Sequence, residues 1–499
     1  MTYSPSLTSA FLNTKNRSDI LSPQSGLCSL CSEGCEGRCE LGLASVLGAR
    51  TVYPTTTGSN QVASEKNYPF DYSHFNINGR VFGAVGIEEK DAHIFNVNLE
   101  SEYGYENKVK TKLPLFLPAL IKLNWKDYFA GAAMAGVPCV IGESAIDKDP
   151  NLEMRNCKVI KFEWLKEILE SFSNYDRGYG QIILQCNCED DMFGLPEYAI
   201  EKQGVKAIEF KFGQSAKGTQ PVNKMESYEE AVKEAKMGYV VNPNPLDEKV
   251  KEAYEKGVCP NFYKYARLPM WTEEYLEKRI AQLKQIGLEN VYFKMAGYDV
   301  KDIERVIKMA SNLKVDMITF DGAGGGSGYS PCKMMNEWSY PTVVLEKIVC
   351  DVLDELEDGD FKPAITVTGG FASEDQAYKA LALGEGNVTH IGYCRAAMAA
   401  AMASKNIGAK INEGKVPEYL KKYGSTVEEI FGDLPDLRAI YGKDANRFPP
   451  GAIGTFSYLN KLGFGIKHFA ALNRKFDIKY LDRNDLIPLT SAAENLMFK

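Results

Sequence analysis

The chain contains the segments Phe320-Asp-Gly-Ala-Gly-Gly-Gly-Ser-Gly-Tyr-Ser-Pro331 and Val367-Thr-Gly-Gly-Phe-Ala372, and each of them ends an apolar run of strand type. A third apolar run leads into Ile391-Gly-Tyr-Cys-Arg395. Between the last two segments, Ser373-Glu-Asp-Gln376 has the pattern of a capping box that opens a helix. Strand, glycine turn, helix, strand and glycine turn together predict a βαβ unit with parallel strands.

The glycines in these turns predict a site for a phosphate group. They follow the strands, so backbone N–H groups are free there and a ligand can approach the backbone closely. In (β/α)8 barrels the loops after strands seven and eight form the usual phosphate site. The alternative is that the glycines only make tight turns, but two such turns in this order favour the phosphate site.

Residues 111–404 alternate apolar runs with amphipathic segments, which is typical of a parallel barrel. The predicted strands lie near Leu115–Leu117, Pro138–Ile141, Ile182–Gln185, Ala207–Phe212, Val291–Met295, Met317–Phe320, Ala364–Val367 and Val388–Ile391. The predicted fold class is therefore α/β, a (β/α)8 TIM barrel. A cysteine-rich, irregular N-terminal extension at 1–110 and a helical C-terminal extension at 405–499 flank it. The charged stretch Met225–Lys236, between strands four and five, predicts a solvated helix face.

Four of the twelve cysteines form a compact run near the start of the chain, Cys28, Cys31, Cys35 and Cys39. Four thiolates at this spacing can wrap one iron–sulfur cluster or one zinc ion, and neighbouring glycines allow the loop to fold around it. The dense spacing favours an iron–sulfur cluster, most simply 4Fe-4S, over zinc, whose ligands usually come as two separated pairs. A run that binds no metal remains an alternative.

Composition and charge exclude several classes of protein. The net charge of −8 and the lack of a basic block argue against a nucleic-acid surface. The longest apolar stretch, near Phe129–Ile141, is too short to span a bilayer, and the polar N-terminus lacks a signal-peptide core. With 44% hydrophobic residues the chain has the composition of a globular protein. We expect a cytoplasmic protein without membrane attachment.

Polar residues accumulate at the predicted strand ends, where barrel enzymes place their chemistry. Glu143 follows strand two, Lys211 ends strand four, Lys294 lies in strand five and Asp321 ends strand six. A lysine within a buried strand is costly unless an opposite charge or a carbonyl meets it, so Lys211 and Lys294 predict a nearby anion. Reduced flavin is one such anion. The alternative is an ion pair with a neighbouring glutamate or aspartate.

These motifs, taken in order, resemble the FMN-binding barrel domain of glutamate synthases. The motifs are Gly142-Glu143, Glu209-Phe-Lys-Phe-Gly-Gln-Ser-Ala-Lys217, Phe293-Lys294, Asp321-Gly322 with Ser330-Pro331, and Gly369-Gly370. The likeness covers about 111–400, and the tail segment Tyr480–Thr490 resembles stand-alone members of the family more loosely.

The resemblance implies an FMN site and a substrate site on one face of the barrel. The implied cofactor-binding residues are Lys294, Gln214, Asp321, Gly322, Gly369, Gly370, Gly392, Tyr393 and Arg395, with the phosphate at the glycines and the ring near Lys294. Glu143, Lys211 and Lys217 are the implied catalytic residues. Together with Gln214 they would line the space where a 2-oxo acid or its imine is reduced.

The sequence also departs from the family pattern. Nothing corresponds to the amidotransferase domain with which full glutamate synthases begin, and after strand eight only Cys394 stands near the family's three-cysteine cluster motif. The family's Gly-Glu-Gly-Gly after strand two is Gly-Glu-Ser-Ala145 here. We therefore expect ammonia to come from elsewhere and the N-terminal cysteines to replace the missing cluster.

The sequence leaves two functions open. The first is an FMN- and iron–sulfur-dependent oxidoreductase, glutamate synthase-like and acting on CH–NH2 type donors or acceptors. Its partners would be a small 2-oxo acid or amino acid and an electron donor such as ferredoxin or a reductase subunit. The second is a non-catalytic barrel subunit that holds a structural zinc and docks partner proteins.

Overall fold

The computed structural model describes residues 42, 45–46, 70–120, 125–212, 221–225, 227–258, 261–265, 267–268, 270–323, 339–442 and 448–498, with the backbone alone for 221–224. Three groups of predicted site residues lie outside these ranges. They are the cysteines Cys28, Cys31, Cys35 and Cys39, the pair Gln214 and Lys217, and the glycine-rich stretch 324–331.

Eight parallel strands close into a barrel, which confirms the predicted fold class. The strands are β1 Leu115–Leu120, β2 Cys139–Ile141, β3 Ile182–Cys186, β4 Ala207–Lys211, β5 Asn290–Ala296, β6 Met317–Asp321, β7 Ala364–Thr368 and β8 Val388–Gly392. They follow one another around the barrel in chain order, and β8 pairs with β1. Each coincides with a predicted strand, because strands buried on both faces read as short apolar runs in the sequence.

Helices surround the barrel and fill its connections. They are α1 Trp125–Ala135, α2 Glu163–Ser173, α3 Cys188–Met192, α4 Leu195–Gln203, α5 Tyr228–Lys236, α6 Glu248–Glu255, α7 Glu273–Gln285, α8 Val300–Leu313, α9 Thr342–Asp354, α10 Glu374–Gly384, α11 Arg395–Asn412, α12 Val427–Ile430, α13 Leu434–Tyr441, α14 Pro450–Leu472 and α15 Ser491–Phe498. The capping box predicted at Ser373 opens α10. Within the described ranges, no helix combines the length and apolar character needed to cross a membrane.

The C-terminal residues form part of the barrel's helical shell. Helix α14 packs closely against α1 and α11, and glycines lie at the points where these helices cross. A Cβ on Gly131 of α1 would lie 2.4 Å from the Cβ of Thr455, and one on Gly454 would lie 1.9 Å from the hydroxyl oxygen of Ser404. Helix α11 also continues past the predicted boundary at residue 404. The predicted extension at 405–499 is therefore continuous with the barrel in both chain and packing.

The hairpin formed by Ser101–Tyr103 and Val109–Thr111 closes the end of the barrel at which the strands begin. The hydroxyl oxygens of Tyr103 and Tyr292 are 3.0 Å apart, and Thr111 Oγ1 lies 3.2 Å from His390 Nε2. Burial lowers the pKa of His390 to about 3, so its imidazole is neutral. This end is a filled core, which leaves the opposite end for a ligand.

The segment between β4 and β5 folds into a small unit of its own. Its strands Pro221–Met225, Val240–Asn242 and Phe262–Tyr265 form an antiparallel sheet with the last strand in the centre. Helix α5 begins at the cap Ser227 and buries only Ala231, which confirms the predicted solvated helix. We call this unit the insertion.

Candidate functional site

Two lysines stand side by side where the strands β4 and β5 end. Lys211 and Lys294 are paired in the strand register, so their side chains share one face of the sheet. The same face carries Ala207 and Tyr292, which belong to the core inside the barrel. Both lysines therefore point into the barrel, and they are only 4% and 3% exposed.

A carboxylate meets each of these lysines. Lys211 donates from Nζ to Oε1 of Glu143, and both side chains are buried. Lys294 Nζ lies 3.8 Å from Oδ2 of Asp321 at the end of β6. The structure thus realises the ion-pair alternative at both lysines, and their burial by itself does not require a bound anion.

A third carboxylate belongs to Glu209, which precedes Lys211 by two residues on the same strand. Its side chain therefore lies on the same face as that of Lys211, and it is fully buried. Its Oε1 accepts a hydrogen bond from Nε2 of Gln185 on β3. Burial raises the pKa of Glu209 to about 7, although the charges of Lys294 and Lys211 and the hydrogen bond from Gln185 oppose the rise. The charge inside this end of the barrel therefore changes near neutral pH.

The glycine turns after β6, β7 and β8 pack against one another without room for side chains. Gly369 has φ +119°, and a Cβ there would lie 2.8 Å from Thr342 Oγ1 and 3.0 Å from the nitrogen of Gly322. A Cβ on Gly392 would lie 2.6 Å from the Cβ of Thr368. The hydroxyl of Thr342 donates to the Gly369 carbonyl at 2.7 Å. These contacts bring the backbone of three turns together at the strand ends.

Several backbone N–H groups at these turns have no protein acceptor in the described part of the chain. They include those of Gly370 and Phe371. Close by, helix α11 starts at Arg395, directly after β8, and its cap Cys394 makes no side-chain hydrogen bond to the first turn. Free amides of a glycine turn beside the N-terminus of a long helix suit a phosphate group.

The resemblance assigns Tyr393 to cofactor binding, but both its backbone N–H and its hydroxyl already donate hydrogen bonds within the protein. Its N–H donates to the carbonyl of Phe116 at 2.9 Å, and its hydroxyl donates to the carbonyl of Ser373 at 2.8 Å. The ring is fully buried and lies 6.0 Å from the ring of Phe371. Tyr393 therefore ties the β7 turn to the β8 turn. Arg395 is partly buried at the start of α11.

The loop after β2 carries a strained residue next to Glu143. Ser144 has φ 54° and ψ 30°, the left-handed conformation. Its N–H donates to Oδ2 of Asp190 at 2.9 Å, and its hydroxyl accepts from Nδ2 of Asn187 at 3.1 Å. Burial raises the pKa of Asp190 to about 7 against the effect of its two backbone hydrogen bonds, while Glu143 adds to the rise.

The insertion is bound to the same end of the barrel. Arg267 donates to the carboxylate of Glu189, which follows β3, at 2.9 Å. The indole of Trp271 donates to the carbonyl of Lys211 at 2.7 Å. The insertion therefore forms a wall beside the lysine that it follows in the chain.

Sequence reasoning found the two lysines, two of their carboxylates and the glycines, but it missed other members of the site. The missed residues are Gln185, Asn187, Asp190, Glu209 as a titrating group, Thr342 and Trp271. Their signal in the sequence is faint: Asn187 and Asp190 have capping-box spacing just after β3, and Thr342 follows a proline at a helix start. No group of three or more metal-ligating side chains occurs among the residues that the structure describes.

Replacing Glu209 by glutamine tests the charge balance inside the barrel. Burial raises the pKa of Glu209 from 4.5 to about 7 in the folded state. The free energy of unfolding of the wild type therefore falls as the pH rises from 4.5 to about 7, because the buried carboxyl group must ionise. We expect Glu209→Gln to raise the free energy of unfolding at pH 8.5, by at most roughly 3 kcal/mol, and to leave it unchanged near pH 4. Urea unfolding across this pH range measures the difference, with Glu201→Gln on the exposed side of α4 as the control. A less stable variant at pH 8.5 would show that ion pairing of Glu209 outweighs its burial.

Residues 266–405 match the family model described as a conserved region in glutamate synthase. No curated protein matches the chain in sequence. Among solved structures, flavocytochrome b2 with sulfite bound is 14% identical over 95% of this chain and 84% of that chain, with a TM-score of 0.48.

Two other solved structures are similar to the same degree or less. A mandelate oxidase with 2-hydroxy-phenylacetamide is 13% identical, covers 94% of both chains and has a TM-score of 0.43. FabK from Thermotoga maritima is 14% identical over 58% of this chain and 59% of that chain, with a TM-score of 0.31. The matched residues 266–405 include β5 to β8 with the glycine turns and Lys294. Over residues 266–405 the resemblance seen in the motifs is thus confirmed: this part of the chain is similar to the conserved region of glutamate synthases.

Proposed function

We propose that this protein is an FMN-dependent oxidoreductase that reduces the imine of a 2-oxo acid and ammonia to an amino acid. The observation that carries the proposal is the placement of two features at one end of the barrel. Free amides after β7 and crowded glycines at the ends of β7 and β8 face the same end as the buried residues Lys211, Lys294 and Glu143. A scaffold has no need of either feature.

The residues present fit FMN. Gly369 and Gly370 are only partly buried, so a phosphate can approach their backbone. Any side chain at Gly369 or Gly392 would collide with its neighbours. Lys294 offers a cation for the ring, and its ion pair with Asp321, at 3.8 Å, is looser than the contact between Lys211 and Glu143. By the family resemblance Gln214, Gly322 and Arg395 complete the cofactor site. Bound FMN supplies hydride transfer.

The chain's own residues would manage the substrate. Glu143 and Lys211 form a buried pair over which a carboxylate-bearing substrate can dock, with Lys217 as a third group by family resemblance. Reduction of an imine adds a hydride to carbon and requires a proton on nitrogen. We assign the delivery of that proton to Glu143 or Lys217 and the binding of the substrate carboxylate to Lys211. Buried walls around the pair exclude water.

We further propose that the N-terminal cysteines hold an iron–sulfur cluster, most simply 4Fe-4S, that receives electrons from a ferredoxin or a reductase subunit. The support is the spacing of Cys28, Cys31, Cys35 and Cys39. The ammonia would come from another protein or from solution. We place the protein in the cytoplasm, where thiolates stay reduced and available to a metal.

The first test concerns the flavin. Gly369→Ala puts a methyl group against Thr342 and Gly322, so we expect the purified variant to hold less than about a tenth of the wild-type flavin, since the phosphate contact depends on that backbone. Flavin is measured by absorbance after release from the protein. Gly359→Ala is the matched control, because Gly359 also has a positive φ, +100°, but a Cβ there meets no atom. Equal flavin in both variants would argue against the proposed phosphate site.

The second test concerns the metal. In the double variant Cys28→Ser/Cys35→Ser we expect loss of iron and of the broad absorbance of the cluster, with flavin retained because the glycine turns are unchanged. Anaerobic purification with metal and flavin analysis measures both, and Cys157→Ser, at an exposed cysteine, is the control. A colourless wild-type protein loaded with zinc would contradict the proposal and support the partner-docking subunit.

The third test concerns the reaction. The chemically reduced protein is mixed with a 2-oxo acid and ammonium, with 2-oxoglutarate first in the series, and the amino acid formed is measured. Since positioned acids contribute roughly 10²- to 10⁴-fold, Glu143→Gln should lower the rate about a hundredfold or more at unchanged flavin content. Glu153→Gln, on an exposed hairpin, serves as control. If no 2-oxo acid is reduced while flavin is bound, the substrate assignment is wrong.

A further inference from the structure

The loop that carries Glu143 adopts a backbone conformation that its sequence does not favour. Ser144, the next residue, has φ 54°, and the left-handed conformation costs an L side chain roughly 1 to 2 kcal/mol. The family pattern has glycine at this position, for which the conformation is free. Something else in this chain must therefore hold Ser144 in place.

Two residues at the start of helix α3, which follows strand β3, hold Ser144 in this conformation. Oδ2 of Asp190 accepts from the N–H of Ser144 at 2.9 Å, and Asn187 donates to the Ser144 hydroxyl at 3.1 Å. Asn187 and Asp190 also close the capping box that starts α3, so neither side chain is free to turn away. Asp190 is 1% exposed, which keeps water from competing for the Ser144 amide.

Glu143 is fixed between this contact and two others. Its N–H points at Oε1 of Gln185 at 3.4 Å, and its carboxylate meets Lys211. A turn of the Ser144 peptide out of the left-handed conformation would rotate the backbone of Glu143 and move the carboxylate from Lys211. The contact with Asp190 opposes that rotation directly.

We propose that Asp190 is a positioning residue for Glu143, which it holds toward Lys211 by binding the amide of left-handed Ser144. The inference rests on the proposed role of Glu143. It explains how Gly-Glu-Ser-Ala145 can do what Gly-Glu-Gly-Gly does in the family, since a buried acceptor replaces the conformational freedom of glycine. Asp190 itself touches neither substrate nor cofactor in this scheme.

The kinetic experiment uses Asp190→Ala, Asp190→Asn, and Asp190→Ala combined with Ser144→Gly, all in the full chain with flavin bound. The rate of amino acid formation from 2-oxoglutarate and ammonium is measured. Asp190→Ala should lower kcat about ten- to a hundredfold, as expected for a displaced catalytic group, with flavin content unchanged. Asp190→Asn keeps an acceptor oxygen and should stay within about threefold of wild type. Adding Ser144→Gly to Asp190→Ala should restore most of the loss, because glycine adopts the conformation unaided.

A second readout is independent of catalysis. Hydrogen exchange at the amides of residues 142–148 should speed up about tenfold or more in Asp190→Ala and stay slow in Asp190→Asn. If the exchange is unchanged in Asp190→Ala, or if the double variant is as impaired as the single one, the proposal is overturned. If no 2-oxo acid is reduced but exchange responds as expected, the positioning contact stands and the proposed function fails. Should Asp190→Ala not fold, recovery of folded protein in the double variant supports the proposal and failure of both overturns it.

Discussion

The balance of charge inside the open end of the barrel is the constraint on which the site depends. Two lysines occupy neighbouring positions on β4 and β5, where like charges repel and where transfer from water costs several kcal/mol for each ion. The carboxylates of Glu143, Asp321 and Glu209 surround them. Removing either Lys211 or Glu143 would leave a buried charge uncompensated. The resulting loss of stability would be far larger than the net stabilisation that the intact pair provides. The balance therefore fixes residues from four different strands or strand ends at once.

The third carboxylate of this group titrates near neutrality. Burial disfavours the ionised form of Glu209 and raises its pKa to about 7, although the charges of both lysines favour that form. A neutral Glu209 leaves the lysines able to attract a ligand that brings negative charge of its own. FMN and a 2-oxo acid, the proposed cofactor and substrate, both carry such negative charge.

Local patterns were enough to predict the barrel strands, the capping box at Ser373 and the glycine turns. These features depend on neighbours in sequence, such as the apolar run that ends at Asp321 or the spacing from Ser373 to Gln376. The contacts that complete the site join residues far apart in the chain and leave no periodic trace. Trp271 contacts the carbonyl of Lys211 only because the insertion folds back. The packing of α14 in the shell depends on glycines such as Gly131, whose partner Thr455 lies near the other end of the chain.

Tyr393 and Ser144 show how a residue of a motif can act through the backbone around it. Tyr393 follows Gly392, one of the glycines assigned to phosphate binding. Its hydroxyl and its amide both donate to backbone carbonyls, and these hydrogen bonds hold two turns together. Ser144 stands where the family has glycine. Its hydrogen bond to the buried Asp190 offsets the cost of a left-handed conformation that glycine adopts without strain. In both cases the chemistry of the side chain is a poor guide to its role. What matters is which backbone conformation it stabilises, and that conformation in turn places Gly392 or Glu143 where a ligand can meet it.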